Sequence, residues 1–125
     1  MKQILLVGMG GFLGSAMRYL VSLYSLKTFS TALPVGTLIV NLLGSLLIGL
    51  IAGLMVKSNF TSLQLFVLTG FCGGFTTFST FSLEGLKMLE SARYLLYVGY
   101  ASLSVVGGLL LCFLGFFLAQ KMLGS

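Results

Sequence analysis

The sequence predicts an all-α integral membrane protein of four transmembrane helices, and three observations carry that prediction. Of its 125 residues, 58% are hydrophobic and only 7% charged, too few polar groups to clothe a soluble domain of this size. The apolar residues fall into four runs, each able to cross the bilayer as a helix of about 20 residues. Between the runs lie Lys27, Lys57, Asn59, Glu90, Arg93 and the only proline, Pro34. A single four-span domain, residues 1–125, accounts for the chain, with spans at about 4–24, 35–56, 63–89 and 94–119.

The first span opens on "MKQILLVGMGGFLGSAMRYL", which has the outline of a signal peptide. The apolar stretch resumes past Arg18, however, and "GSA" is a loose cleavage signal, so a retained span is the better reading. Gly11, Gly14, Ser15, Arg18 and Ser22 make a stripe of small and polar residues along it. Arg18 lies near the helix end, where it suits snorkelling or a structural pair. Holding anions at a vestibule through charge-assisted hydrogen bonds is the less favoured alternative.

The second span, "PVGTLIVNLLGSLLIGLIAGL", starts at Pro34, and proline is favoured in the first turn of a helix. Thr37, Asn41, Gly44, Ser45, Ala52 and Gly53 fall near one face, and Gly49 and Gly53 form a GxxxG pair that lets another helix approach closely. Asn41 is a carboxamide deep in a span and needs a partner or water. It reads as helix glue or as a polar pore-lining group.

In the third span the apolar stretch 63–72 covers only about 15 Å at 1.5 Å per residue, half a membrane. "GFCGGFTTFSTFS" occupies residues 70–82. Gly73-Gly74 permits non-helical backbone, and the following threonines and serines can rebind groups freed by a break, which predicts a helix broken mid-membrane. The alternative is a continuous helix whose glycines pack and whose Phe71, Phe75, Phe78 and Ser82 form a core stripe. A break would expose carbonyls suited to a dehydrated cation and amides suited to an anion. Phe78 and Phe81 share a face, flanked by the hydroxyls of Ser79, Thr80 and Ser82. Ring edges are positive, so edges, hydroxyls and a carboxamide together would suit a small anion. Glu84 is expected to pair locally with Lys87 at i+3 rather than relay protons.

The fourth span offers Tyr97, Tyr100, Ser104 and Gly107 on one face, for packing or for a pore. Cys72 and Cys112 sit in apolar stretches of a chain with no histidine, where thiols are usually packing residues. The seven basic residues are scattered, with no cluster to track phosphates, so no nucleic-acid partner is expected. With no His, no Asp, no paired carboxylates and no nucleotide loop, nothing suggests an enzyme. Across four spans one face would carry Lys2, Lys57 and Lys121, and the other Lys27, Lys87 and Arg93, with Arg18 nearby. So small a bias leaves two options open: insertion in both orientations, or an orientation set by one residue or a partner.

"GFCGGFTTFSTFSLE" at 70–84, "PVGTLIVNLLGS" at 34–45 and the glycine-rich first span ending "SAMRYL" resemble the Fluc (CrcB-like) fluoride channels over essentially the whole chain. The resemblance implies an antiparallel dual-topology homodimer that exports fluoride passively through two pores and protects a bacterial cytoplasm from the plasma membrane. It also implies a structural sodium ion at the dimer centre, held by main-chain carbonyls of Gly73 and Thr76 of each subunit. The implied ion pathway comprises Asn41, Phe78, Phe81, Ser79, Thr80, Tyr100 and Ser104, with Arg18 in the vestibule. Gly108 stands where some relatives carry serine, which bears on the length of the polar track. A small multidrug-resistance-type proton-coupled exporter is the rival; it needs a carboxylate in the first span and an aromatic drug box, yet that span holds no acid and the chain no Trp.

Overall fold

The computed structural model describes residues 1–56 and 61–124; the expected loop around Lys57 and Asn59 lies outside them. Every regular element among the described residues is helical. Helix α1 runs Lys2–Thr28 and α2 runs Val35–Met55. Helix α3 covers residues 61–75: an α-helical turn Thr61–Gln64, wider π-type turns over Leu65–Cys72, and a closing turn Gly73–Phe75. After two extended residues, α4 runs Phe78–Glu90 and α5 Tyr94–Gly124. Counting α3 and α4 as one interrupted run, four helical segments are long and apolar enough to cross a membrane. This is a multi-pass membrane protein, and its exposed Leu5, Phe12, Leu109 and Phe113 suit lipid as solvent.

The helices associate as two parallel pairs. Helix α1 lies along α3, with Gly10 beside Phe66 and Gly14 beside Phe71. Helix α2 lies along α5 in step: Leu38 packs with Tyr100, Ser45 meets Gly108, Gly49 meets Cys112, and Gly53 meets Ala119. At Gly49 the approach is closest, since any Cβ would collide with the Cys112 carbonyl oxygen. The GxxxG pair thus serves the α2–α5 contact, where small residues give backbones dispersion contact that lipid cannot supply. Leu38, Met88 and Tyr100 form a buried cluster, with Phe81, Leu96 and Tyr97 packed around it.

The interruption between α3 and α4 falls later than Gly73-Gly74. Gly73 is helical, at φ −62° and ψ −36°. The extended residues are Thr76 (φ −81°, ψ 161°) and Thr77 (φ −152°, ψ 119°). Gly74 instead serves helix packing. A Cβ there would press on the backbone of Gly11, so the absent side chain lets α1 and α3 touch.

Candidate functional site

The interruption is held open by side chains from outside its own helix. Thr77 N–H donates to Asn41 Oδ1 (2.8 Å), and Asn41 Nδ2 donates to the Thr77 carbonyl (3.1 Å). The carboxamide matches a peptide group donor for acceptor: it replaces the helical bond that the Thr77 N–H forgoes and adds a second donor to the Thr77 carbonyl, which as the N-cap carbonyl also accepts within α4. Thr77 then caps α4, its Oγ1 accepting from Thr80 N–H at 3.2 Å, as threonine does at a helix start. The same oxygen lies 3.1 Å from Thr80 Oγ1 and 3.3 Å from Ser79 Oγ. Thr76 Oγ1 donates back to the Cys72 carbonyl at 2.9 Å.

These redirected bonds affect two carbonyls. In an unbroken α-helix the Gly73 carbonyl would accept from Thr77 N–H and the Thr76 carbonyl from Thr80 N–H. Both donors are turned elsewhere, to Asn41 and to the Thr77 hydroxyl. Oxygens deprived of helical donors in an apolar setting are expensive unless something else satisfies them.

Beside the break runs an open groove of about 470 Å³ bordered by Asn41, Gly73, Thr76, Phe78, Phe81 and Ser104, together with Ser45 and Thr77. Among the described residues, no ionised side chain lines it. Phe78 projects outward, 79% exposed, while Phe81 packs inward. Their ring centroids are 5.7 Å apart at 40°, and Phe81 continues to Tyr100 at 5.2 Å and 45°, tilted arrangements that turn ring edges toward neighbouring faces.

At the other end of the aromatic run, Glu84 accepts from Thr37 Oγ1 and from Tyr100 Oη, each at 2.8 Å. Both carboxylate oxygens therefore serve contacts between helices. The expected local pair with Lys87 does not form among the described residues, because tertiary donors on α2 and α5 reach the carboxylate first. Thr37 and Glu84, with Thr80, Lys87 and Arg93, border a second cavity of about 430 Å³. A third, of about 260 Å³, is bordered by Ser15, Arg18, Ser22, Thr37 and Thr80. In it Arg18 Nε is buried without a hydrogen-bond partner among the described residues.

Of the residues singled out in the sequence, Asn41, Gly73, Thr76, Phe78, Phe81 and Ser104 meet at one groove. Thr80 and Arg18 border the cavity of about 260 Å³. Tyr100, 1% exposed, underlies Phe81, and Ser79 touches Thr77. Ser104 Oγ donates to the Tyr100 carbonyl at 2.7 Å. For Asn41, the glue alternative holds, since it binds Thr77 twice, and the residue also borders the groove. Sequence reasoning passed over Thr77, the hub of the break. Its signal was a threonine three residues ahead of Thr80 at a helix start, the spacing of an N-cap.

Comparison with known proteins identifies the family. The family model described as CrcB-like protein, Camphor Resistance (CrcB), matches residues 5–116. A protein of Methanococcus maripaludis named fluoride-specific ion channel FluC is 49% identical over 116 residues, 92% of this chain and 93% of that one. One of Leptospira interrogans with the same name is 44% identical over 122 residues, 96% of each chain. Another, of Azobacteroides pseudotrichonymphae, is 39% identical over 122 residues, 96% of this chain and 98% of the relative. The four apolar helical segments, the interrupted third one and these near-full-length matches lead to one conclusion: the chain belongs to the CrcB-like family.

Proposed function

We propose that this chain forms a fluoride-selective channel through which fluoride leaves a bacterial cytoplasm passively across the plasma membrane, conferring resistance to it. The observation that carries this reading is the groove where Asn41, Phe78, Phe81 and Ser104 meet, in a chain whose near-full-length relatives are named fluoride-specific ion channels. The groove has no carboxylate to repel an anion. The N-terminus of α4 opens beside it, and the positive end of a helix dipole favours negative charge there. Fluoride is small and a strong hydrogen-bond acceptor, so closely spaced hydroxyl and amide donors can replace its water. Phe78 and Phe81 offer ring edges, Ser79, Thr80 and Tyr100 extend the polar track, and Arg18 collects anions in the vestibule.

The working unit is an antiparallel homodimer with two pores, a state favoured by the near-equal division of basic residues between the two faces. A structural sodium ion at its centre would be held by the main-chain carbonyls of Gly73 and Thr76 of each subunit. The residues fit such an ion: hard cations take oxygen ligands, and these carbonyls have had their helical donors drawn away. A cation so placed offsets part of the cost of bringing an anion into low dielectric.

Purified protein in liposomes loaded with fluoride and chloride tests the reading, with no nucleotide and no proton gradient supplied. Fluoride is expected to empty rapidly while chloride stays trapped. Equal slow leakage of both anions, or fluoride movement only against a proton gradient, would overturn it.

A further inference from the structure

We infer that Ser45 is a further anion-contacting residue, donating its hydroxyl to fluoride one step beyond Asn41 and Ser104; this rests on the channel reading above. Because α2 and α5 run parallel and in step, residues four apart on each helix form successive rungs. At the first rung Thr37 and Tyr100 both bind Glu84. At the second, Asn41 and Ser104 border the groove. At the third, Ser45 faces Gly108: its Oγ lies 3.3 Å from where a Cβ on residue 108 would stand. Helix α5 offers no side chain there, so at this rung the hydroxyl comes from α2.

That hydroxyl is available. Serines within helices commonly return their proton to the carbonyl four residues back, as Ser15, Ser22, Ser82 and Ser104 do. Ser45 makes no hydrogen bond among the described residues, although it is half-buried and borders the groove. A hydroxyl has one proton to give. Ser104 has committed its own to the Tyr100 carbonyl, whereas Ser45 retains its proton for a passing acceptor. An unpaired hydroxyl in an apolar span is unfavourable, and an anion in the groove would relieve it.

The test measures fluoride efflux from proteoliposomes for the wild type, Ser45→Ala, Ser45→Cys and the double variant Ser45→Ala with Gly108→Ser. Size-exclusion chromatography confirms that each retains the wild-type assembly. Both single variants are expected to conduct about tenfold more slowly, the equivalent of one lost hydrogen bond. Ser45→Cys keeps the volume and weakens the donor, so packing alone predicts no slowing. The double variant moves the hydroxyl from α2 to α5, into the space vacated by Oγ, and is expected to recover to within roughly threefold of wild type. Wild-type rates in Ser45→Ala or Ser45→Cys overturn the inference, as does a slow, intact Ser45→Ala that Gly108→Ser fails to rescue. A wild type that does not conduct fluoride overturns the channel reading instead.

Discussion

Asn41 concentrates more of the site's logic than any other residue. Its carboxamide satisfies both backbone groups of Thr77, and one amide proton remains beyond the one given to the Thr77 carbonyl. Asn41→Leu keeps approximate size but leaves the Thr77 N–H buried and unpaired, while the Thr77 carbonyl keeps its donor within α4. That loss costs about 1–3 kcal/mol, so the thermal unfolding midpoint in detergent should fall; an unshifted midpoint would mean that water takes over the Thr77 N–H bond. Asn41→Asp instead puts a negative charge at the groove and is expected to slow fluoride efflux at least about tenfold. Unaltered efflux in that variant would remove Asn41 from the pathway. The residue was legible in the sequence as an oddity, a carboxamide deep in a span, and its two uses were not separable there because its partner lies 36 positions away.

At the scale of helices, the four apolar runs were plain because hydropathy records a bulk requirement of the bilayer. The interruption of the third run was also legible, and its position was not. Glycine pairs advertise backbone freedom, yet Gly73 is helical and Gly74 yields its side chain so that α1 can approach. Extended backbone falls on Thr76 and Thr77, where an acceptor on another helix makes leaving the helix favourable. Glu84 was misread for the same reason: local spacing suggested Lys87, while Thr37 and Tyr100 sit closer in three dimensions. The turn between α4 and α5 offers a test of local chemistry alone. Ala92 adopts φ 55°, while Ala92 N–H reaches the Leu89 carbonyl at 3.0 Å and Arg93 N–H the Met88 carbonyl at 2.8 Å. This is a Schellman ending, which ordinarily carries glycine at the left-handed position. Ala92→Gly should therefore stabilise the protein by about 0.5–1 kcal/mol, read as a raised unfolding midpoint with fluoride efflux unchanged; a lowered midpoint would show that the alanine methyl makes a compensating contact.

For the whole molecule, the proposed antiparallel dimer has a direct consequence for topology. A reporter fused after Ser125 should appear on both sides of the membrane in comparable amounts, and one added basic residue near a loop should tip the distribution. A reporter found on one side only would rule out the dual-topology dimer while leaving the groove chemistry intact. The parallel pairing of α2 with α5 bears on how such a molecule is made. The second helix enters the membrane carrying Thr37, Asn41 and Ser45 on one face, but the groups that pair with this face, and α5 that packs along it, are made only later. Thr37 and Asn41 must wait for their partners Glu84 and Thr77 on the third span, and Asn41 cannot seat the break until residue 77 has emerged. A ribosome stalled before residue 77 would thus leave Thr37 and Asn41 without those partners, an intermediate that membrane quality control could recognise.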